Sequence, residues 1–169
     1  ASAKSGTILV PLNTMLPERD IAHLINDSEA KALILGENYL KTVTSIRAEL
    51  KGVKHFITFG PPTGEIRGYE QLLSSHSMDE PDVDIDENDI AYFMYSSGTT
   101  GLPKAIMMTH RGMLANAVNY ALFYQATEHD IALVPMPASS AFGSVANIFP
   151  HFYLGCTIAV TEDSQPRTI

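Results

Sequence analysis

The chain of 169 residues contains one cysteine, Cys156, and no tryptophan. A single thiol excludes an internal disulfide framework and is typical of a reducing compartment, so we expect a cytoplasmic location. No segment approaches the roughly 20 consecutive apolar residues that a membrane-spanning helix requires. The chain also does not open with the charged and apolar regions of a signal peptide. These absences favour a globular protein with no membrane span.

Basic residues are also scarce, because 11 lysines and arginines stand against 19 aspartates and glutamates, for a formal net charge of −8. Nucleic-acid phosphates attract basic surfaces, so this balance argues against a nucleic-acid partner. The six histidines and the cysteine have no spacing typical of metal ligands, and we therefore predict no metal site in this chain.

Residues 78–89 (MDEPDVDIDEND) contain seven acids and no base. A metal-binding acidic loop is one interpretation, but the segment lacks the glycine and the final glutamate of a calcium-binding loop. We interpret it instead as a solvated linker between two halves of one domain that spans residues 1–169.

Apolar segments alternate between strand-like and helix-like spacing along the chain. Continuous apolar runs predict strands, and apolar residues three or four positions apart predict helices. The predicted strands cover residues 8–10, 32–35, 53–59, 90–94, 105–108, 131–134 and 157–160, and the predicted helices cover about 17–28, 38–50, 111–124 and 145–154. Continuous rather than alternating apolar strands indicate a parallel sheet covered on both faces. The expected fold is α/β, a three-layer sandwich with a mostly parallel sheet flanked by helices.

The most informative segment is YSSGTTGLPK, residues 95–104, which follows the apolar run at 90–94. It combines hydroxyls, glycines and a terminal cation: Ser96, Ser97, Gly98, Thr99, Thr100, Gly101 and Lys104. Hydroxyls donate hydrogen bonds, glycines let backbone N–H groups approach closely, and an ammonium neutralises charge, so this combination favours phosphate binding. The pattern is not a P-loop, because Lys104 precedes Ala105 rather than the serine or threonine that would contact magnesium. A glycine- and serine-rich surface turn is the alternative.

Residues 95–112, YSSGTTGLPKAIMMTHRG, resemble the signature loop of the AMP-forming adenylating enzymes. This family includes acyl-CoA synthetases, luciferases and the adenylation domains of peptide synthetases. Ser96 replaces the more usual threonine and Ala105 replaces glycine, whereas Thr109 and His110 match the Thr-His that follows the loop. Residues 6–34 and 130–160 are also similar to family segments, so the resemblance covers nearly the whole chain.

The resemblance implies a fragment of the N-terminal domain of an AMP-forming acyl-CoA synthetase of fatty acid metabolism. The resemblance also implies that the loop residues and Lys104 hold the β- and γ-phosphates of ATP with Mg²⁺ while the substrate carboxylate attacks the α-phosphorus. Lys104 is then the catalytic residue. Coenzyme A would then accept the acyl group. A catalytic base at His110 is the less favoured interpretation, since histidines at helix starts commonly cap or pack.

The resemblance also implies a substrate pocket near Ser140, Phe142 and Gly143. The family pattern is roughly Pro-Leu-Phe-His, two residues and then glycine, which aligns with Pro137 and Gly143. Ser140 then stands where relatives often have an aromatic residue or histidine that gates the acyl site, and a small side chain would leave the entrance more open. A serine-rich turn before a helix is an equally open interpretation.

Two other functions remain open. An adenylation domain of a peptide synthetase would pass its acyl group to a carrier protein instead of coenzyme A, and a non-catalytic module would only bind nucleotide or phosphate. The family's adenine-stacking, ribose-binding and C-terminal lysine elements are absent from these residues. The fragment is therefore expected to be inactive without the C-terminal part of the same enzyme, and it can form homodimers through core surface that it exposes.

Overall fold

The computed structural model describes residues 1–96 and 103–161, which form two compact units. Of the described residues, one unit contains 1–13, 83–96 and 104–161, and the other contains Thr14–Asp82 and Pro103. The boundary between Asp82 and Val83 falls within the acidic segment 78–89. The role of that segment as a linker stays a prediction.

The unit formed by Thr14–Asp82 is a parallel three-stranded sheet with helices between its strands. The strands β1 (Ala32–Leu35), β2 (His55–Thr58) and β3 (Arg67–Gly68) are ordered β1-β2-β3, with Ala32 paired to His55 and Ile57 to Arg67. The helices are α1 (Glu18–Asp27), α2 (Leu40–Ile46) and α3 (Tyr69–Ser75), with 3₁₀ turns at Glu37–Tyr39 and Arg47–Glu49. The parallel sheet is confirmed, and so is the predicted order helix, strand, helix, strand over residues 17–59, whereas β3 and α3 were not predicted.

The core of this unit lies under α1, which begins directly after Pro17. Proline is well suited to a helix start because its missing N–H has no partner there. Ile21, Leu24 and Ile25 are all buried, as expected for apolar residues that share one helical face. Burial along β1 alternates, and Ile34 is 52% exposed, so the described residues cover only one face of this strand. The prediction of burial on both faces is wrong here.

The other unit contains an antiparallel pair of strands, β4 (Ile90–Ser96) and β5 (Lys104–Thr109), and a parallel pair, β6 (Ile131–Val134) and β7 (Thr157–Val160). A 3₁₀ turn at Ser2–Ser5 opens the chain. The helix α4 (His110–Tyr124) follows β5 directly. The segment between β4 and β5 therefore joins two strands, as predicted, rather than a strand and a helix.

Two predicted elements of this unit have different bounds in the structure. The strand expected at residues 8–10 is reduced to one bridge between Leu9 and Tyr92, and Pro11 has no N–H with which to continue a ladder. The helix expected at 145–154 begins earlier, with α5 (Ala141–Gly143), a π-helical turn (Ser144–Ile148) and α6 (Phe149–Leu154) in continuous succession. Among the described residues, no helix combines the length and the apolar character needed to cross a membrane.

Candidate functional site

The β4–β5 hairpin brings Ser96 and Lys104 together at the end where the connecting segment joins its two strands. The two residues are Cα partners in the strand register, and the Ser96 hydroxyl donates a long, 3.5 Å hydrogen bond to the Lys104 carbonyl oxygen. The Lys104 side chain is exposed, and no carboxylate of residues 1–96 or 103–161 lies within ion-pair distance of its ammonium. The hairpin mouth, defined here as Ser96 and Lys104, therefore presents a hydroxyl and an unpaired cation on neighbouring strands.

The other predicted phosphate-binding residues, Ser97, Gly98, Thr99, Thr100 and Gly101, lie outside the described residues. Their role stays a prediction, as does the role of the hairpin mouth itself. The structure settles only that the segment is closed by an antiparallel strand pair whose last partners are Ser96 and Lys104.

Strand β4 is held by neighbours on both sides. Phe93 pairs with Met107 of β5, and on the opposite edge Leu9 donates to the Ala91 carbonyl at 3.0 Å and accepts from the Phe93 N–H at 2.9 Å. Tyr92, only 1% exposed, lies at the centre of this arrangement. The strand that leads to the hairpin mouth is thus held in place by backbone hydrogen bonds on both edges and by the burial of Tyr92.

The Thr109-His110 pair forms the start of α4. The Thr109 hydroxyl accepts a hydrogen bond from the Gly112 N–H at 3.0 Å, as an N-cap residue does. The His110 N–H donates to the Asp89 carbonyl at 3.1 Å, and the Arg111 N–H donates to the Glu87 carbonyl at 2.8 Å. These bonds satisfy three of the four N–H groups that a helix start leaves without a helical partner. This geometry supports a capping role for Thr109, whereas these bonds use only the backbone N–H of His110, so the interpretation of its imidazole as a base stays untested.

The acidic segment before β4 is internally hydrogen-bonded. The Asp86 carboxylate accepts from the Asn88 N–H at 2.7 Å and from its side-chain amide at 2.8 Å. These two bonds favour the ionised form and lower the pKa of Asp86 below its usual value. Glu87 reaches the Arg111 guanidinium at 3.0 Å, with both side chains about two-thirds exposed. Together these contacts secure the first turn of α4 to the segment that precedes β4.

Ser140 starts the helical stretch that follows β6. Its hydroxyl accepts from the Gly143 N–H at 3.0 Å and donates to the Pro137 carbonyl at 2.8 Å. Both bonds are local, so the side chain is used to cap α5. This arrangement supports the interpretation as a turn before a helix, and the predicted role of Ser140 at an acyl entrance stays untested.

Phe142 and Gly143 differ sharply in their surroundings. The Phe142 side chain is 58% exposed, whereas Gly143 is buried against the backbone of the preceding turn. A Cβ atom on Gly143 would lie 2.2 Å from the Pro137 carbonyl oxygen, far inside van der Waals contact. Only glycine therefore fits at this position. The sequence identified this glycine by its motif but did not reveal the close backbone approach that requires it.

Tyr92 and Ser144 form a buried hydrogen bond that was not predicted from the sequence. The Tyr92 hydroxyl donates to the Ser144 hydroxyl at 2.9 Å, and Ser144 in turn donates to the Ser140 carbonyl at 2.9 Å. The Tyr92 ring also meets Phe149 edge-on, with centroids 5.5 Å apart. Burial raises the pKa of Tyr92, and the bond to Ser144 opposes that rise in part. The only sequence signal was a hydroxyl-bearing residue within an apolar run.

Side-chain amides support the π-helical turn Ser144–Ile148. Asn116 of α4 donates to the Val145 carbonyl at 3.1 Å, and Asn147 donates to the Phe142 carbonyl at 2.6 Å. A π turn displaces the regular backbone bonds, so side-chain donors can take carbonyls that a regular helix would use internally.

Over the described part of the chain, no group of three or more histidine, cysteine, aspartate or glutamate side chains could hold a metal ion.

Comparison with known proteins gives a match over the whole chain. The family model described as AMP-binding enzyme matches residues 1–169. The long-chain-fatty-acid–CoA ligase FadD13 of Mycobacterium tuberculosis is 30% identical over 142 residues, which cover 80% of this chain and 26% of that protein. Tyrocidine synthase 3 of Brevibacillus parabrevis is 29% identical over 170 residues, covering 99% of this chain and 2% of the synthase.

A solved structure shows the same fold. The inhibitor-bound N-terminal domain of FACL13 from Mycobacterium tuberculosis superposes with a TM-score of 0.81 at 26% sequence identity, and the match covers 96% of this chain and 39% of that chain. The chain therefore spans about a quarter of the FadD13 ligase and about two-fifths of the solved domain.

Proposed function

Because this chain belongs to the AMP-binding enzyme family, whose model spans residues 1–169, we propose that it is part of an AMP-forming acyl-CoA synthetase. In the proposed reaction a carboxylate oxygen attacks the α-phosphorus of ATP, which forms an acyl-adenylate and releases pyrophosphate. The thiol of coenzyme A then attacks the acyl carbon, which forms the thioester and releases AMP. Both steps conserve atoms and need no redox partner.

The observation that carries this proposal is the pairing of Ser96 with Lys104 at the hairpin mouth. A hydroxyl donor beside an exposed ammonium suits the oxygens of a polyphosphate, and Lys104 has no carboxylate partner among the described residues that would compete for it. The buried strand β4 provides a rigid base for this donor pair. The donor set thus fits the triphosphate of ATP.

Within this proposal Lys104 is the catalytic residue and acts by electrostatic stabilisation. Its ammonium would neutralise charge on the β- and γ-phosphates as pyrophosphate leaves, with hydroxyls of Ser96, Ser97, Thr99 and Thr100 and N–H groups at Gly98 and Gly101 as further donors. Bound Mg²⁺ would neutralise additional phosphate charge. We assign it no ligand among residues 1–96 and 103–161, which contain no suitable cluster of histidine, cysteine, aspartate or glutamate side chains.

The acid would bind near the start of the α5 stretch. We propose that Ser140, Phe142 and Gly143 line this side of the site, with the exposed Phe142 ring as the apolar surface for an acyl chain. Gly143 would contribute by allowing the close turn onto Pro137. The proposal specifies a carboxylic acid, not a particular one.

A second candidate is the adenylation domain of a peptide synthetase. The match to tyrocidine synthase 3 over 99% of this chain favours it as the alternative. The adenylation step would be the same, but the substrate would be an amino acid and the acceptor a carrier-protein thiol. A non-catalytic nucleotide-binding module is the third candidate, and it predicts ATP binding with no exchange of pyrophosphate.

The test is ATP–pyrophosphate exchange by the full-length protein that contains this chain. The panel contains fatty acids of short, medium and long chain length, aromatic acids and amino acids. Each acid that supports exchange is then incubated with coenzyme A to detect the thioester. Acid-dependent exchange followed by thioester formation supports the synthetase. Exchange restricted to amino acids, without a coenzyme A thioester, supports the peptide-synthetase alternative. If the protein binds ATP measurably but supports no pyrophosphate exchange with any acid, both enzyme proposals are wrong and the non-catalytic binding module replaces them.

The isolated chain 1–169 is expected to be inactive in the same assay. Positioning groups can supply about 7–11 kcal/mol of the barrier, and the chain covers only 26% of the FadD13 ligase. Acid-dependent exchange by these residues alone would show that the fragment is a complete enzyme. Leu122 and Phe123 are 72% and 80% exposed, so the isolated chain is also expected to form homodimers, detectable as concentration-dependent mass in sedimentation. We further propose a cytoplasmic location.

A further inference from the structure

A buried chain of hydroxyls connects β4 with the turn that begins α5. Tyr92 donates to Ser144, and Ser144 donates to the Ser140 carbonyl, each at 2.9 Å. Tyr92 is 1% and Ser144 3% exposed, so water does not compete for these bonds. The Ser140 carbonyl also accepts the Ser144 N–H at 3.0 Å. We refer to this arrangement of Tyr92, Ser144 and Ser140 as the hydroxyl chain.

Both ends of the hydroxyl chain are attached to rigid structure. Tyr92 is fixed by its strand partner Met108, by the bridge to Leu9 and by the edge-on contact with Phe149. At the other end, the Ser140 side chain is bound to the Pro137 carbonyl and to the Gly143 N–H. A shift of the turn relative to β4 would therefore have to break a buried hydrogen bond.

The hydroxyls are not required for core packing. A hydrogen bond between buried hydroxyls gives only a small net stabilisation after desolvation, and an apolar pair of the same shape can be nearly neutral by comparison. Phenylalanine and alanine would fill the same space. What the hydroxyl pair adds is direction, because the bond holds only when Tyr92, Ser144 and the Ser140 carbonyl are aligned.

We propose that Tyr92 and Ser144 are positioning residues that fix the acid-binding turn, residues 137–143, against the strand that leads to the phosphate-binding segment. This inference rests on the proposed function and identifies residues that act through Ser140 rather than on the substrate. The hydroxyl chain sets the distance between the turn and β4, and hence the alignment of the carboxylate with the phosphates. Loss of a bond in the chain should impair use of the acid more than use of ATP.

The test compares Tyr92→Phe, Ser144→Ala and the double variant in the full-length enzyme, with Tyr153→Phe as the matched control, because it also removes one tyrosine hydroxyl. Tyr153 lies in α6 and is 52% exposed, and its hydroxyl makes no hydrogen bond with any residue in 1–96 or 103–161. Thermal unfolding midpoints and the separate KM values for acid and for ATP are measured for each protein.

Ser144→Ala leaves the buried Tyr92 hydroxyl without its partner, so it should lower the unfolding midpoint most. It should also raise the KM for the acid by about 5- to 100-fold, the range that corresponds to an unpaired buried group. Tyr92→Phe should have a smaller effect, because Ser144 keeps its bond to the Ser140 carbonyl. Tyr153→Phe should match the parent protein in all three measurements.

The double variant separates positioning from stability. It contains no unpaired hydroxyl, so its unfolding midpoint should recover toward that of the parent, while the KM for the acid stays raised. If the acid KM recovers together with stability, or if the KM values for ATP and acid rise equally, the hydroxyl chain is only structural and the inference is overturned. Failure of the proposed function is distinguishable, since the parent protein itself would then show no acid-dependent pyrophosphate exchange.

Discussion

The hairpin mouth and the turn at residues 137–144 both contain serine hydroxyls, yet they use them in opposite ways. At the hairpin mouth, the Ser96 hydroxyl makes one long hydrogen bond to the described residues, and the Lys104 ammonium has no ion-pair partner among them. In the turn, Ser140 and Ser144 each use the hydroxyl in two bonds of 2.8–3.0 Å. Groups left without internal partners can bind a ligand, whereas groups that are fully bonded shape the backbone.

This difference separates two kinds of motif residue. Substitution at the hairpin mouth should change the rate of chemistry with little effect on folding, because exposed side chains away from special features contribute little to stability. Substitution in the turn should change stability first and activity as a consequence. Four variants test this division, in order of decreasing expected effect.

Lys104→Ala is expected to have the largest effect, and on activity alone. Removal of one preorganised charged donor costs about 2.7–4 kcal/mol of transition-state stabilisation, so kcat for adenylate formation in the full-length protein should fall about 100- to 1,000-fold. The unfolding midpoint should not change. Lys41→Ala, at an exposed lysine of α2, is the control and should keep full activity. An unchanged rate of pyrophosphate release would remove Lys104 from the mechanism.

Gly143→Ala is expected to have the next largest effect, and on stability. The added methyl would meet the Pro137 carbonyl oxygen at 2.2 Å, and such overpacking typically costs about 1–3 kcal/mol, or more where backbone must move. The control is Gly52→Ala, whose Cβ would lie 3.5 Å from the Ala30 carbonyl, an ordinary contact. Denaturant unfolding of both variants measures the difference. If Gly143→Ala and Gly52→Ala are equally stable, the backbone of the turn adjusts to the added methyl at little cost. The contrast with the hairpin mouth would then be removed.

The sequence predicted those parts of the fold that depend on local pattern. Strands with continuous apolar runs and the one-sided helix α1 were found because burial selects the same residues that define the pattern. The strand β3 contains only Arg67 and Gly68, and it exists because Arg67 pairs with Ile57. No local pattern encodes such a pairing. The helix α3, with the sequence YEQLLSS, offers too few apolar positions for its period to be read.

The candidate site divides in the same way. Lys104 and its neighbours could be proposed as a phosphate-binding site because phosphate chemistry requires particular residue types close together in sequence. The bond between Tyr92 and Ser144 joins residues 52 positions apart, and neither residue type is unusual in its segment. The cap at Ser140 could be proposed from sequence as a turn before a helix, but its two partners, Pro137 and Gly143, became evident only from the backbone path.

Thr109→Ala tests the end of β5, where the hairpin is followed directly by α4. Here a motif hydroxyl is internally bonded, to the Gly112 N–H at 3.0 Å, and so it should behave like the serines of the turn. Loss of an N-cap costs about 0.5–2 kcal/mol, and the unfolding midpoint should fall accordingly. Thr109→Ser retains the oxygen and should remain close to the parent. If the alanine variant instead loses activity at full stability, Thr109 belongs with the ligand-binding groups.

Glu87→Gln is expected to have the smallest effect. The Glu87–Arg111 pair is close, at 3.0 Å, but both side chains are about two-thirds exposed, and exposed pairs typically contribute about 0.2–1 kcal/mol because water and salt weaken the attraction. The Arg111 N–H keeps its bond to the Glu87 carbonyl whatever the side chain, so the start of α4 should remain in place. A double-mutant cycle with Arg111→Gln, measured by denaturant unfolding at low and at high salt, isolates the pair. The coupling should be small at low salt and vanish at high salt. A coupling free energy between Glu87 and Arg111 that persists at high salt would show that the start of α4 also depends on this side-chain contact for its stability.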